Sequence, residues 1–156
     1  RARPGRVRGG ATFRGGAGHG GFGGGGNSSI LARYGARYLC NAGYFATFLD
    51  DLFTPVNTCM TTQARFDSVA VIALSVSGET RQVVDICRQL KERGCTLISL
   101  TNRPGCTLAR ISDLNISYNM EELRVGGGWQ MTCQAPVVCL LEMIGRRLYQ
   151  VAPDQA

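Results

Sequence analysis

Along residues 68–94, the pattern of hydrophobic and polar positions changes from that of a buried strand to that of a helix. Residues 68–75, "SVAVIALS", form a short continuous apolar run with valine and isoleucine, which is typical of a strand buried on both faces. The next segment, "ETRQVVDICRQLKERG" (79–94), carries apolar residues at helical spacing and ends in basic residues and a glycine, the usual signals of a helix C-terminus. The pattern predicts a strand followed by a helix with an inward stripe of Val83, Val84, Cys87 and Leu90.

The same alternation continues toward residue 118. The segment "CTLISLT" (95–101) predicts a second buried strand, and "LNISY" (114–118) predicts a third after a helical turn at "TLARISD" (107–113). Strand, helix and strand at this spacing form a βαβ unit, which requires parallel strands and right-handed crossovers. The sequence therefore predicts an α/β fold with a parallel sheet.

Two further helices flank this unit. The segment "NSSILARYGARYLCNAG" (27–43) predicts a helix, and "YFATF" (44–48) predicts a short strand after it. Near the other end, "MTCQAPVVCLLEMIGRRLY" (131–149) predicts a long apolar helix, in which Pro136 indicates either a kink or the first turn. The residues expected to face inward from the first helix are Ile30, Leu31, Tyr34, Tyr38 and Leu39.

The last helix carries more apolar side chains than one face of a sheet covers. We expect part of this surface to be buried against a second copy of the chain, which predicts a homodimer or a tetramer. The apolar residues of this helix are Val137, Val138, Cys139, Leu140, Leu141, Met143, Ile144 and Leu148.

Composition limits the class of protein. The chain has 156 residues, of which 44% are hydrophobic, so it has the size and composition of one globular domain. No apolar run approaches the ~20 residues that a membrane span needs, and the arginines at the start are followed by glycines instead of an apolar signal segment. The sequence predicts a cytoplasmic protein without a membrane segment.

The cysteines suggest no metal site. Their number is odd, none forms a CxxC pair, and none lies beside a histidine, so the sequence predicts buried free thiols and neither a metal nor a cofactor. The seven are Cys40, Cys59, Cys87, Cys95, Cys106, Cys133 and Cys139.

Charge and glycine are concentrated at the start of the chain. Residues 1–26 hold five arginines, no acidic residue and twelve of the 21 glycines, whereas the remaining 130 residues are nearly neutral. Such low-complexity sequence predicts a disordered tail or linker remnant over residues 1–20, followed by one domain over residues 21–152. The "RGG" pairs, with Phe13 and Phe22 between them, also resemble an RNA-binding segment, and this alternative stays open.

Two loops carry the candidate chemistry. In a parallel sheet, ligands bind at the carboxyl ends of the strands where the strand order reverses. The loops "GGGGNSS" (23–29) and "SVSGET" (75–80) both lead into predicted helices. A helix N-terminus with glycine and hydroxyl side chains suits a phosphate. Helix capping would account for Ser28 and Ser77 alone, and the additional hydroxyl groups favour phosphate binding.

These residues resemble the SIS domain, a phosphosugar-binding module that sugar isomerases and bacterial regulators share. The segment "IALSVSGETRQVVDICRQLKERGCTLISLTN" (72–102) is similar to the second-loop signature of that family, S-x-S-G-E-T between a strand and a helix. The segment "GGGGNSSILAR" (23–33) is similar to its first loop, through Gly24, Gly26, Ser28 and Ala32. The stretch after the second signature and the C-terminal helix look most like RpiR-type transcription regulators.

The resemblance implies a fold and a site. The implied fold is a flavodoxin-like three-layer sandwich with a five-stranded parallel sheet of order 2-1-3-4-5, and dimers are usual. The implied ligand is a sugar phosphate, with phosphate held by the hydroxyl groups of the second loop and by the backbone N–H groups of Gly78 and Glu79. The residues implied in ligand binding are Ser75, Ser77, Gly78, Glu79 and Thr80 from the second loop, and Gly26, Asn27, Ser28 and Ser29 from the first.

The chain departs from the family pattern at its start. The strand before the first loop should be apolar, yet "GAGHGGF" (16–22) has almost no side chains. RpiR-type regulators also carry an N-terminal helix-turn-helix domain, which these residues do not supply. The sequence is therefore interpreted as the effector half of a regulator, with DNA bound only through that further domain.

A phosphosugar isomerase is the alternative. Aldose–ketose isomerases of this fold need a base beside the sugar carbonyl, with a histidine or lysine to help open the ring. The single histidine, His19, lies in the glycine-rich tail, and the single lysine, Lys91, lies at the end of a predicted helix. The remaining candidates for the base are Glu79, Glu121 and Glu122. This sparse equipment favours ligand sensing over catalysis.

Overall fold

The structure, a computed structural model, describes residues 11–15, 27–49, 65 and 67–151. The main helices and strands follow the predicted alternation. In chain order they are β1 (Ala11–Gly15), α1 (Asn27–Asn41), β2 (Ala46–Leu49), β3 (Ala70–Ser75), α2 (Arg81–Glu92), β4 (Thr96–Thr101), α3 (Thr107–Ile111), β5 (Leu114–Ser117), β6 (Arg124–Val125), β7 (Trp129–Gln130) and α4 (Ala135–Val151).

The centre of the sheet is parallel. Strand β3 pairs with β4 from Ala70 opposite Thr96 to Ser75 opposite Thr101, and the last four residues of β4 pair with β5 in the same direction. All three strands therefore end at the same edge of the sheet. The prediction of an α/β fold with a parallel sheet is confirmed.

Strand β1 lies at a different place in the sequence from the one expected. Its backbone pairs in parallel with both β2 and β3. It falls within the stretch predicted as a tail and precedes the glycine-rich segment 16–22. Threonine and phenylalanine within "ATFRG" (11–15) favour strand, which glycine does not. Residues 1–10 and 16–26 lie outside the described ranges, and the boundaries 1–20 and 21–152 stay a prediction.

One face of the sheet is covered by α2 and α3. Val71, Ala73 and Leu97 of the sheet pack in one buried cluster with α2 and with Leu108 of α3. The inward stripe predicted for α2 is confirmed, because Val83, Val84, Cys87 and Leu90 are all buried.

The other face is covered by α1 and α4, and the predicted inward side of α1 was wrong for Ile30 and Tyr34, whereas Leu31 packs against the core. Ile30 is 65% exposed and Tyr34 is 38% exposed, whereas Leu39 is buried as expected. The buried side consists mostly of small residues, which let the helix backbone approach the sheet closely. It is formed by Ser28, Ala32, Gly35, Ala36 and Leu39.

Helix α4 packs closely on α1. Pro136 lies in its first turn, so that alternative for the proline is confirmed. Val137, Leu141 and Gly145 face the core, and a Cβ at Gly145 would lie 2.6 Å from Cδ1 of the Tyr38 ring. Only glycine allows this contact. No helix in the described part of the chain is both long and apolar enough to cross a membrane.

No disulfide joins the six cysteines in the described residues, and only some of them are buried. The buried ones are Cys87, Cys95 and Cys106, whereas Cys40, Cys133 and Cys139 are exposed. The prediction of buried thiols was wrong for the last three because they lie on or beside the outer faces of α1 and α4. Cys59 lies outside the described residues. Across the described ranges, no three histidine, cysteine or acidic side chains come together as ligands for a metal ion.

Candidate functional site

Three hydroxyl groups converge between β3 and α2, in residues 75–80, here called the serine loop. Ser75 is buried at the end of β3, and its Oγ accepts a hydrogen bond from the Gly78 N–H at 3.1 Å. The same oxygen lies 3.5 Å from the Thr80 Oγ1. The Ser77 Oγ accepts from the Glu79 N–H at 3.2 Å. The loop thus gathers its side-chain oxygens at the start of α2.

This arrangement leaves hydroxyl hydrogens for an anion. Each hydroxyl group has one hydrogen to donate, and Ser75 and Ser77 use their oxygens as acceptors for backbone N–H groups. Ser75 and Thr80 share at most one hydrogen bond between them, so at least two hydroxyl hydrogens of the loop have no acceptor among the described residues. The first turn of α2 adds backbone N–H groups that have no partner inside the helix and a partial positive charge.

The structure corrects one expectation about the loop, the capping of α2. The N–H groups of Gly78 and Glu79, implied as phosphate donors, donate to the serine hydroxyls in this structure, and their role toward phosphate stays a prediction. Ser77 does not cap α2, because the N-cap position is Thr80, whose side chain makes no capping hydrogen bond. The hydroxyl groups of Ser77 and Thr80 are therefore not used to cap α2.

Gly78 fixes the position of the loop against α3. Its φ is +65°, a conformation that glycine adopts readily, and a Cβ at this position would overlap the Cys106 side chain. Its carbonyl oxygen accepts a hydrogen bond from the Leu108 N–H at 3.0 Å. A glycine is therefore required where the serine loop rests on α3.

The Glu79 carboxylate belongs to the start of α3. Its Oε1 accepts a hydrogen bond from the Thr107 N–H at 2.8 Å. The hydrogen bond to Thr107, with a smaller effect of the Arg110 charge, lowers the pKa of this exposed carboxyl. Glu79 is therefore ionised at neutral pH and occupied in holding α3, which makes it a poor general base.

The first loop is described only from the start of α1. Asn27 is exposed and Ser29 half-buried, while Ser28 is only 6% exposed. Within the described residues, no hydrogen bond reaches the Ser28 hydroxyl. A buried hydroxyl without a partner is costly, so this group is a candidate ligand contact. Gly26 and His19 lie outside the described residues.

A groove of about 400 Å³ lies beside the start of α1, lined by Asn27, Ile30, Leu31, Met131, Thr132, Cys133 and Gln134. Thr132 and Gln134 were not predicted from the sequence. Thr132 is buried, and its Oγ1 accepts a hydrogen bond from the Leu123 N–H at 3.1 Å. The available signal was the polar run "TCQ" directly before the most apolar helix.

Asn102, directly after β4, was also missed. It is 2% exposed, and its side chain holds Met120 at two points: Oδ1 accepts the Met120 N–H at 2.7 Å, and Nδ2 donates to the Met120 carbonyl oxygen at 2.8 Å. Its own N–H donates to the Val76 carbonyl oxygen at 3.0 Å. The signal in the sequence was an asparagine that ends the strand next to the serine loop.

The other candidate acid–base groups have structural contacts or lie elsewhere. Glu122 forms an ion pair with Arg103 at 2.8 Å, and Glu121 is exposed. Lys91 forms an ion pair with Asp113 at 3.0 Å. Because Asp113 directly precedes β5, Lys91 lies at the edge of the sheet opposite the serine loop.

Comparison with known families agrees with this geometry. A sequence profile of the SIS domain matches residues 20–141. The chain belongs to the SIS domain family. This SIS domain is 31% identical over 91 residues to an uncharacterized protein of Archaeoglobus fulgidus, and 30% identical over 78 residues to an uncharacterized HTH-type transcriptional regulator of Clostridium perfringens. The matches cover 58% and 50% of the chain, but only 45% and 28% of those two proteins.

Solved structures share the fold of this SIS domain. The sugar isomerase domain of an RpiR transcription factor from Sphaerobacter thermophilus has a TM-score of 0.71 at 18% identity, covering 92% of this chain and 72% of that one. E. coli CFT073 c3406, solved in complex with a sugar phosphate, has a TM-score of 0.69 at 23% identity, with coverage of 92% and 71%. Vibrio vulnificus NanR complexed with ManNAc-6P also has a TM-score of 0.69, at 21% identity, and the match covers 94% of this chain and 51% of that one. The predicted resemblance to the SIS domain is confirmed.

Proposed function

We propose that this SIS domain binds a sugar phosphate at the serine loop and serves as the sensor domain of an RpiR-type transcription regulator. The observation that carries the proposal is the convergence of the Ser75, Ser77 and Thr80 hydroxyls at the start of α2, with hydroxyl hydrogens left to donate. Phosphate oxygens accept such hydrogen bonds, and the positive end of the helix favours their charge. Two neighbours in fold were solved with sugar phosphates, one of them ManNAc-6P.

The sugar part of the ligand is proposed to extend toward the first loop. Helices α1 and α2 follow β1 and β3 in the chain, and these two strands pair in parallel, so we propose that both helices begin at the same edge of the sheet. The buried Ser28 hydroxyl and the exposed Asn27, together with Ser29 and Gly26, would contact the sugar from that side. The groove beside α1 adds Thr132 and Gln134 as further hydrogen-bonding groups.

The contacts of the charged groups favour sensing over isomerisation. Glu79 holds the start of α3, Glu122 holds Arg103, and Lys91 lies at the other edge of the sheet. Moving a proton next to a carbonyl needs a base within hydrogen-bonding reach of the substrate. Among the described candidates, each of these three is held by a contact that serves the fold.

The regulator proposal also concerns the rest of the protein. A helix-turn-helix domain outside this chain would bind DNA, the protein would act in the cytoplasm, and the domain would assemble as a homodimer or tetramer. Similarity to an HTH-type regulator, of which the match covers 28%, supports this part. We further propose that β2-β1-β3-β4-β5 is the strand order of the domain within the full protein, which brings the starts of α1 and α2 to one switch point.

Calorimetry with three ligands tests the binding proposal. We expect ManNAc-6P or arabinose 5-phosphate to bind the wild-type chain, and unphosphorylated ManNAc to bind at least about tenfold more weakly, because it lacks the anion that the loop hydroxyls would hold. Equal affinity for ManNAc and ManNAc-6P, or no binding of either phosphate, would contradict it. Incubation with arabinose 5-phosphate should yield no isomerised sugar, and turnover would favour the isomerase instead.

A further inference from the structure

Asn102 connects two segments that the sequence separates. We propose that its side chain is a positioning residue that clamps residues 119–131, here called the hairpin arm, beside the serine loop, so that the sugar part of a bound ligand meets a fixed surface. This inference rests on the proposed function. It assigns Asn102 no direct contact with the ligand.

The geometry of the clamp is a pair of hydrogen bonds to one residue. Oδ1 and Nδ2 of Asn102 bind the N–H and the carbonyl oxygen of Met120 at 2.7 and 2.8 Å. Two bonds to one residue fix its orientation as well as its position. The backbone carbonyl of Asn102 accepts a third bond from the Asn119 N–H at 3.0 Å. Asn119 has a φ of +48°, so the chain turns sharply where it is held.

The same residue touches the serine loop. Its backbone N–H donates to the carbonyl oxygen of Val76, which lies between the two serines of the loop. The Arg103–Glu122 ion pair gives a second connection between the end of β4 and the arm. Because Asn102 is 2% exposed, its amide has no access to water as a substitute partner.

The hairpin arm is built to depend on such a clamp. It contains only the short antiparallel pair β6–β7, joined by three glycines, and its apolar side chains are exposed instead of packed in the core. They are Met120, Leu123, Val125, Trp129 and Met131. Few buried contacts hold this segment, so its position depends on the hydrogen bonds at its base.

The arm also leads into the proposed sugar side of the site. Met131 and the adjacent Thr132 line the groove beside α1, and Thr132 binds the Leu123 N–H within the arm. If the base of the arm is released, the groove loses its wall while the serine loop keeps its hydroxyl groups. Recognition of the sugar should therefore fail before recognition of phosphate.

Hydrogen exchange on the ligand-free chain tests the clamp itself. Asn102→Leu removes both side-chain bonds, and Asn102→Asp keeps an acceptor but loses the donor at neutral pH. We expect the Met120 amide and the neighbouring Asn119 amide to exchange about tenfold faster or more in both variants. In Asn102→Leu the Met120 N–H loses its buried acceptor, and in Asn102→Asp a carboxylate oxygen faces and repels the Met120 carbonyl oxygen that Nδ2 binds in the wild type. Unchanged exchange in a folded Asn102→Leu or Asn102→Asp protein would overturn the proposal.

Asn115→Leu is the matched control. Asn115 lies in β5, and its side-chain amide donates to the Ser99 and Thr101 hydroxyls at 2.9 Å, away from the arm. Exchange in the arm should stay at the wild-type rate in this variant. Equal acceleration by Asn115→Leu and Asn102→Leu would mean general loosening of the sheet edge and would also overturn the clamp.

Binding assays show whether the clamp serves the ligand. The affinity for ManNAc-6P should fall about tenfold or more in the Asn102 variants, while the affinity for inorganic phosphate should change by less than about threefold. A parallel fall for both ligands would indicate a merely structural role and contradict the proposal. If the wild type binds neither, the proposed function fails, and exchange alone decides whether Asn102 is a clamp.

Discussion

At the residue scale, two serines of the serine loop that look equivalent in the sequence have different surroundings in the structure. The buried Ser75 Oγ is an acceptor for the Gly78 N–H inside the protein, whereas Ser77 binds the N–H of an exposed residue. Ser77 does not cap α2, and Ser75 has a buried structural role, so Ser77 is the cleaner probe of binding.

We predict that Ser77→Ala weakens ManNAc-6P binding about tenfold or more, through loss of a charge-assisted hydrogen bond. Its melting temperature should stay within a few degrees of the wild type, because the Glu79 N–H can turn to water. Ser75→Ala should lower both binding and stability, since the buried Gly78 N–H loses its acceptor at a cost of about 1–3 kcal/mol. Calorimetry and thermal unfolding check this.

The exposed Ser68 provides a control, and Ser68→Ala should change neither quantity. Wild-type affinity in both Ser75→Ala and Ser77→Ala would show that these hydroxyls serve only the turn. A large loss of stability in Ser77→Ala would contradict its assignment as the cleaner probe.

Individual site residues were predictable only where local sequence carries the chemistry. The serine loop is a strand, a hydroxyl-rich turn and a helix in direct succession, so Ser75, Ser77 and Thr80 could be found from the chain alone. Asn102 could not, because its partner Met120 is 18 residues away and the pairing depends on the position of the hairpin arm. Buried polar contacts of this kind are decided by tertiary structure.

At the element scale, periodicity predicted the positions of the helices better than it predicted which of their faces are buried. Helix α2 has one clear apolar stripe, and the structure buries it. Helix α1 has large apolar residues on one side and small ones on another. The small side faces the sheet, because close approach of the backbones outweighs the burial of Ile30 and Tyr34. The Tyr34 hydroxyl instead donates to Glu142 of α4 at 2.6 Å.

The start of β5 offers a test of pH dependence. Asp113 accepts the Leu97 N–H at 2.8 Å and pairs with Lys91 at 3.0 Å. The hydrogen bond from Leu97, followed by Lys91, lowers the pKa of Asp113. A carboxyl with a lowered pKa in the folded state stabilises the fold above the ordinary aspartate pKa of about 4, and this contribution is lost as the pH falls through the folded value.

We therefore predict that Asp113→Asn lowers the free energy of unfolding at pH 7 by about 1 kcal/mol, a modest value because the side chain is partly exposed. The difference from the wild type should shrink as the pH falls below about 4. Thermal unfolding across this range measures it. Asp85→Asn, in an exposed ion pair with Arg81 at 3.7 Å, should have a smaller effect at pH 7. A difference for Asp113→Asn that stays constant with pH would contradict the prediction.

At the scale of the whole molecule, the parallel α/β architecture was predictable because the change between strand and helix periods is local. The position of β1 was not, because glycine-rich sequence carries little periodicity. Surplus apolar surface was also predicted for α4, and the structure identifies which residues remain outside. Met143 and Tyr149 of α4 are 65% and 53% exposed, and Ile30 of the neighbouring α1 is exposed as well.

We predict that the chain forms a two-fold dimer through the outer faces of α1 and α4, since burying these side chains twice removes apolar area from water. Met143→Asp should shift the chain toward monomer in sedimentation experiments. Gln89→Glu, which adds the same charge on the exposed side of α2, should leave the assembly unchanged. A wild-type monomer at high micromolar concentration would refute the dimer.

The cores on the two faces of the sheet also differ in how far apart in the sequence their residues lie. The core beneath α2 and α3 is formed mainly by residues 71–108, whereas the core beneath α1 and α4 joins residues 32–39 to residues 137–141. Contacts between residues close in the sequence form early and contacts between distant residues form late, because closing a long loop costs more entropy before its contacts form. We expect the α2–α3 half to assemble first, and α4, made after the strands that it covers, to close the second half over Ile72 and Leu74. Until α4 docks, that face of the nascent sheet is open to other chains and to chaperones.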